Sequence, residues 1–267
     1  LGCLQGALNY AIVPLKYIQT NPCVPVKIGK TPINPRAKAH AEYICPKDEF
    51  DRIMQRFPQE KYFHISLVLP YYTGTRLGET FGIDLLQDID FSRHELHIRR
   101  QMTKVGKEWY MKPPKYDSYR TLKIGSTLEQ ELKYVIQRQK INRMKYGGNY
   151  MKTYLLPDGS ITQIKADVTV SYQEITPLCV KDNGSLVTPD SFKYCARVIH
   201  MELGNVLFHA HCLRHTHGTI LAENGVNPKT VMERLGHKDI QTTLRTYTFN
   251  TEVMQQTAVD IFEQAVQ

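Results

Sequence analysis

Two rhythms of apolar residues divide the chain: a helical spacing at both ends and through much of the middle, and an alternation that surfaces in two interludes. Residues 1–20 place Leu4, Leu8, Ala11, Ile12 and Leu15 at helical spacing, with Pro14 as an interruption and Asn21-Pro22 as the stop. The following CVPVKIGKTPINPRAKAH is rich in Pro and Lys, and predicts an extended linker over 23–41. A helix over about 46–57 turns Phe50, Ile53, Met54 and Phe57 to one side, and the mostly apolar 62–72 predicts a core-bound segment. Gly74 then permits a tight turn, and Arg76 opens a new helix whose Leu77 and Phe81 point inward at i, i+4.

The first alternating interlude, residues 88–125, predicts three or four antiparallel strands in one small sheet, with turns at Ser92-Arg93 and Gly106-Lys107. Ser126 and Glu129 are spaced as a capping box for a helix to about residue 146, which Gly147-Gly148 ends. The second interlude, about 147–187, holds short β-rich runs between PDGS and KDNGS turns and predicts a β-rich insertion. Thr188-Pro189 starts a helix through Leu203. Residues 211–247 then predict three short helices. The first stops at Gly225, the second is capped by Asn227 with Pro228 in its first position and ends at Leu235-Gly236, and Asp239 caps the third. The tail, about 251–266, turns Val253, Met254, Ala258, Ile261, Phe262 and Val266 to one side of an amphipathic helix. The fold class is mainly α with a small antiparallel β-sheet (α+β).

Composition changes this picture modestly. With 42% hydrophobic residues among 267, the chain is long enough to bury a core and too apolar for disorder. A formal charge of +8 favours a polyanionic partner. Cys3, Cys23, Cys45, Cys179, Cys195 and Cys212 form neither a C-x-x-C pair nor a disulfide framework, so a reducing, intracellular setting is expected. No apolar run approaches membrane-spanning length, and no signal peptide is visible. The chain opens at Leu1 without a methionine, and a fragment or processed chain is expected.

The candidate chemistry concentrates in residues 211–247. On the first of the three helices Leu213, Ile220 and Leu221 share a stripe, while His211 and Arg214 sit three apart on another face, expected to be free for chemistry. His237 lies just past a glycine and Tyr247 ten residues on. Two imidazoles, a guanidinium and a phenol, with no carboxylate pair, suit a phosphodiester. The five-coordinate state gathers negative charge on its non-bridging oxygens, which an Arg fork meets two at a time. The phenol is a possible nucleophile if cationic neighbours or a base lower its pKa from about 10.

H-x-x-R, then L-G-H, then a Tyr ten residues further resembles the carboxy-terminal signature of the tyrosine recombinases, the phage-integrase family. T-G-x-R-x-x-E at residues 73–79 resembles that family's first motif. Within the family the resemblance is strongest to integrases of conjugative transposons. It implies the tyrosine-recombinase catalytic-domain fold over 42–267 and, at 1–22, the last helix of a truncated core-binding domain. It also implies a strand-cleaving Tyr247, a phosphate held by Arg76 and Arg214, donation from His237, and His211 as donor or base. Glu79 is implied as the partner of Arg76, and Lys115 in PPKYDSYRTLKI as the proton donor to the leaving oxygen, with Lys104 and Lys112 competing for that role. No cofactor and no metal are implied. The expected partners are double-stranded DNA, further copies of the chain in a tetramer joined through the tail helix, and an accessory excision factor; the expected location is the bacterial cytoplasm, with no membrane partner. Two positions depart from the pattern: Cys212 where Asp is common, and Arg245 where an acidic residue is common before the Tyr.

Three other readings compete. His209, His211, His215 and His217 lie close enough to suggest a metal nuclease, though neither H-E-x-x-H nor a paired Cys set is present. A type IB topoisomerase-like enzyme would use the same chemistry on one strand. A basic DNA-binding regulator would need phosphate contacts but no nucleophile.

Overall fold

The computed structural model describes residues 2–26, 43–238, 256 and 259–264. Most of the expected linker, Asp239, Arg245, Tyr247 and most of the tail lie outside them. The chain divides into two compact units, Leu1–Lys38 and Ala39–Gln267. In the first, helix α1 (Gly2–Ile12) stops before Pro14, and Asn21 folds back on it, donating to the Gln5 carbonyl at 3.2 Å and the Asn9 side chain at 2.6 Å.

The second unit is built on α3 (His64–Thr73), most of whose side chains are buried. Helix α2 (Lys47–Arg56) lays Phe50 flat on Tyr71 with ring centroids 3.7 Å apart. After α3 come the short α4 (Leu77–Phe81) and strands β1 (Ile89–Asp90), β2 (Glu95–Ile98), β3 (Gln101–Val105), β4 (Glu108–Lys112) and β5 (Arg120–Lys123). Helix α5 (Ser126–Tyr146) leads to β6 (Met151–Leu155), β7 (Ile161–Lys165) and β8 (Gln173–Ile175). Three helices follow: α6 (Pro189–Glu202), α7 (Ala210–Glu223) and α8 (Pro228–Leu235). Helix α7 packs along α3, and α8 packs on α7 and β5. One core joins Phe50, Leu67, Phe81, Leu96, Leu128 and Leu213, while Val231 and Leu235 of α8 form a second, smaller cluster.

Two expectations are corrected. Residues 88–125 do not form one sheet: β1-β2-β5 is a three-stranded antiparallel sheet, and β3-β4 is a separate ribbon. The break falls at Arg99-Arg100, where the chain bends around Gly82. A Cβ on Gly82 would lie 2.7 Å from the Arg100 carbonyl oxygen. Both guanidinia turn back, Arg99 to the Gln87 carbonyl and Arg100 to Asp88. The second correction concerns α5, whose N-cap is Gly125 with no side-chain cap. Glu129 instead pairs with His94 and Lys133, which draw its carboxylate away from the helix end. A reciprocal capping box forms at α6, between Thr188 and Ser191.

The insertion folds as an antiparallel sheet of order β7-β6-β8. Among the described residues no helix is long and apolar enough to cross a membrane.

Candidate active site

The site begins at the end of α3. Gly74 terminates that helix in the left-handed region, at φ 69°. A Cβ there would sit 2.4 Å from Leu235 Cδ2 and 2.8 Å from His217 Cδ2, so a bare backbone is what lets α7 and α8 close over the turn. Arg76 occupies the N-cap of α4, and its own N–H donates to Glu79 Oε2 at 2.8 Å. Its guanidinium reaches in three directions: Nη1 to Glu79 Oε1 at 2.8 Å and to Ser118 Oγ at 3.3 Å, and Nη2 to the Gly236 carbonyl at 2.8 Å.

Glu79, 0% exposed, is shared with a residue that sequence reasoning did not single out. Arg120 on β5 meets it through both terminal nitrogens, at 3.2 and 2.8 Å, and sends Nε to the Arg234 carbonyl at 2.8 Å. Burial alone would push the Glu79 carboxyl up; Arg120 and Arg76 outweigh it and hold the group below its ordinary value. One carboxylate between two guanidinia leaves one positive charge uncompensated, fixed where β5, α4 and the end of α8 meet. Arg120 stands in the quoted YRTLKI strand, but nothing local shows that its partner lies 41 residues upstream.

On α7 the expected free face is corrected in part. Arg214 is 1% exposed and donates Nη1 to the Gly74 carbonyl at 2.7 Å; the buried face carries Cys212, Leu213, Thr216 and His217, while Ile220 is exposed. Arg214 is held from below by the α3 turn, the geometry of a rigid oxyanion donor. His211 does reach the surface, and its ring meets that of His215 edge-on at 4.9 Å.

His217 turns the other way. Its Nδ1 lies 2.9 Å from the Tyr71 carbonyl and its Nε2 accepts from Arg234 Nε at 2.9 Å, which assigns the neutral Nδ1–H tautomer. Burial first and Arg234 second hold it down to about 4. His237 is also held to about 4, by burial and then by Arg214, Arg76, His215 and Arg120. Burial, followed by His215 and Arg214, lowers His211 as well. At neutral pH these rings are uncharged single donors, and an arriving phosphate would raise them. The four closely spaced histidines do not converge: among the described residues no three His, Cys, Asp or Glu side chains are placed to hold a metal ion.

Lys115 opens a short turn, Lys115–Asp117, between β4 and β5. It is exposed, with Nζ 4.9 Å from the Tyr116 ring centroid. Of its competitors, Lys104 is paired to Asp190 at 2.8 Å and Lys112 lies over Tyr110. A cleft of about 630 Å³ opens alongside, lined in part by Tyr116, Ser118, Arg120, Arg234, His237 and Lys238. The geometry thus gathers Arg76, Arg214 and His237 with Glu79 and Arg120, sets Lys115 on the neighbouring turn, and leaves Tyr247 outside the described residues.

Comparison with known proteins bears on the family and the fold. The Phage integrase family matches residues 45–253. A tyrosine recombinase XerC-like protein of Caldanaerobacter subterraneus subsp. tengcongensis is 30% identical over 255 residues, covering 92% of this chain and 60% of that protein. A probable prophage integrase of Lactococcus lactis subsp. lactis is 23% identical, over 97% of this chain and 64% of its own length. The chain thus spans less than two thirds of these relatives. Among solved structures, the Tn1549 transposon integrase in complex with transposon right end DNA superposes with a TM-score of 0.66 at 21% identity, over 96% of this chain and 75% of that one. Such identity speaks for the fold alone, and it is the tyrosine-recombinase catalytic fold. With four fifths of its length inside the family match and the fold to go with it, the chain belongs to the phage integrase family.

Proposed function

We propose that the chain is the catalytic part of a site-specific DNA recombinase that integrates and excises a mobile element through a 3′-phosphotyrosyl intermediate. The observation that carries this reading is the joining of Arg76 and Arg120 through one buried Glu79, with the Arg76 guanidinium bonded to the backbone immediately before His237. Two cationic anchors and a neutral imidazole are thereby fixed before any substrate arrives, and Tyr247 follows within the family match. The Tyr247 oxygen attacks the scissile phosphorus and the bond to the 5′ oxygen breaks. Lys115 protonates that leaving oxygen, and the phenol proton passes to His211 or water. Arg76, Arg214 and His237 hold the non-bridging oxygens. A 5′-hydroxyl from the partner duplex then reverses the step, so the bond energy is conserved and neither metal nor cofactor is needed.

Double-stranded DNA is the substrate, and a tetramer on synapsed sites, joined through the tail helix, is the working assembly. Ile261 and Phe262 of that tail are exposed, which suits a helix awaiting a neighbour. An accessory excision factor and a bacterial cytoplasmic location complete the proposal. The residues 1–22 end a core-binding domain, and 23–41 link it to the catalytic domain.

The test is a nicked suicide duplex built from the element's own end sequence. The chain forms a denaturant-stable adduct in the presence of chelator, and Tyr247→Phe forms none. Adduct from Tyr247→Phe, or an absolute need for Mg²⁺, would overturn the reading. Release of closed circles by single subunits without junction intermediates would favour the topoisomerase-like task instead.

A further inference from the structure

The insertion β6–β8 has no part in the chemistry just described, yet one of its turns touches the ribbon that carries Lys115. Among the described residues the β3-β4 ribbon is a sheet of two strands. A two-stranded ribbon is marginal by itself, and its outer edge exposes backbone donors. On β4 that edge is occupied by the β6-β7 turn: Met111 N donates to the Gly159 carbonyl at 2.9 Å, and Tyr110 bridges Ser160.

The turn is shaped to offer that carbonyl. Gly159 adopts φ 84°, Gly159 N donates to the Leu156 carbonyl and Leu156 N to the Ser160 carbonyl, both at 2.9 Å. Asp158 Oδ1 accepts from Ser160 N at 2.9 Å and from its hydroxyl at 2.6 Å. From β4 the chain runs through Pro113-Pro114, a stiff pair, straight into Lys115, and Gln101 Nε2 ties the Pro113 carbonyl back to β3 at 2.9 Å. At the far end of the same loop Ser118 touches Arg76. Between these anchors Tyr116 and Asp117 both hold positive φ, 62° and 52°, which costs energy for residues with a Cβ and persists only where the surroundings fix it.

We infer that the β6-β7 turn is a brace for the proton donor: Gly159, through its carbonyl on Met111 N, is a positioning residue that sets where Lys115 stands relative to the leaving oxygen. The inference rests on Lys115 being that donor, and the test separates the two ideas. A 5′-bridging phosphorothiolate releases a thiolate, which needs no proton near neutrality, whereas an alkoxide does.

Suicide duplexes with an ordinary or a sulfur-bridged scissile phosphate are cleaved by the unaltered chain, by Lys115→Ala, and by a variant whose Pro157–Ser160 turn is replaced by Asn-Gly. Met111→Pro, which removes the donor N–H together with the Met side chain and fixes φ there, serves as an independent second variant; thermal melting checks that each is folded. The expected result is that Lys115→Ala and both brace variants lose at least about tenfold on the ordinary duplex and regain the unaltered rate on the sulfur-bridged one. Brace variants that cleave the ordinary duplex at the unaltered rate, or that are equally slow on both while Lys115→Ala is rescued, would overturn the brace alone. A Lys115→Ala variant that sulfur does not rescue would remove the donor, and the brace with it.

Discussion

Around Arg76, charge is buried and shared: Glu79 sits fully enclosed between two guanidinia, and the Gly236 carbonyl completes the hold. Lys115, by contrast, stands exposed above a tyrosine ring, on a turn anchored at its two ends. The difference follows the chemistry each would serve. Groups that stabilise charge gain by being fixed in advance in a low-dielectric setting, where no reorganisation is needed at the moment of reaction. A proton donor must keep its charge in the resting state, and burial would take that charge away.

The largest expected effect breaks the buried half. Glu79→Gln leaves Arg76 and Arg120 facing a neutral amide, and the loss should reach about 3–5 kcal/mol in urea unfolding, as for other buried pairs deprived of one partner. Lys115→Ala is the counter-experiment: stability within about 0.5 kcal/mol of the unaltered chain, with adduct formation slower by about 10²–10⁴-fold. Equal stability losses in the two variants would erase the contrast.

Legibility in the sequence followed the range of each interaction. Gly74, Arg76 and Glu79 lie within six residues, and both the turn and the Arg–Glu pair could be read from spacing. The same holds for α8, where Asn227 accepts from Lys229 N and Pro228 stands in the first turn as expected. What failed was long-range. Arg120 finds Glu79 across 41 residues, and Arg234 reaches His217 across 17. Ser126 and Glu129 had the right spacing for a cap, but spacing could not reveal His94 waiting nearby. The helical period of α7 likewise could not show that Arg214, a charged residue, lies on the inner face, because the carbonyl that receives it comes from α3.

A smaller effect tests how tightly α7 and α8 close on the buried half. Gly74→Ala combines a left-handed backbone with contacts of 2.4 and 2.8 Å to Leu235 and His217, and should cost about 1–3 kcal/mol. Gly106 also has positive φ, 61°, but a Cβ there meets nothing within 4 Å, so Gly106→Asn on the exposed ribbon should cost less. Melting temperatures of the two variants, side by side, measure how much of the penalty is crowding and how much is backbone. A Gly106→Asn loss as large as that at Gly74 would place it all in the backbone.

The finest distinction comes from pH, through His217. In the folded chain it is held to about 4, by burial and then by Arg234, while in the unfolded chain it titrates near the ordinary 6.5. Between these values the unfolded state takes up a proton that the folded state refuses. The contribution is therefore complete above about 6.5, falls as the pH drops through this window, and levels off below about 4. For one such group the slope is at most about 1.4 kcal/mol per pH unit. His211 and His237, also depressed, act with the same sign, and Glu79, depressed as a carboxylate, extends the decline to more acid pH. His217→Gln cannot titrate. Its urea midpoints should thus fall less steeply than those of the unaltered chain between pH 6.5 and 4.5, whatever its stability at pH 7, while Lys115→Ala should keep the full slope. Parallel lines for His217→Gln and the unaltered chain would mean that His217 accepts its proton as readily folded as unfolded. The Nδ1–H tautomer bridging Tyr71 and Arg234 would then have to be abandoned.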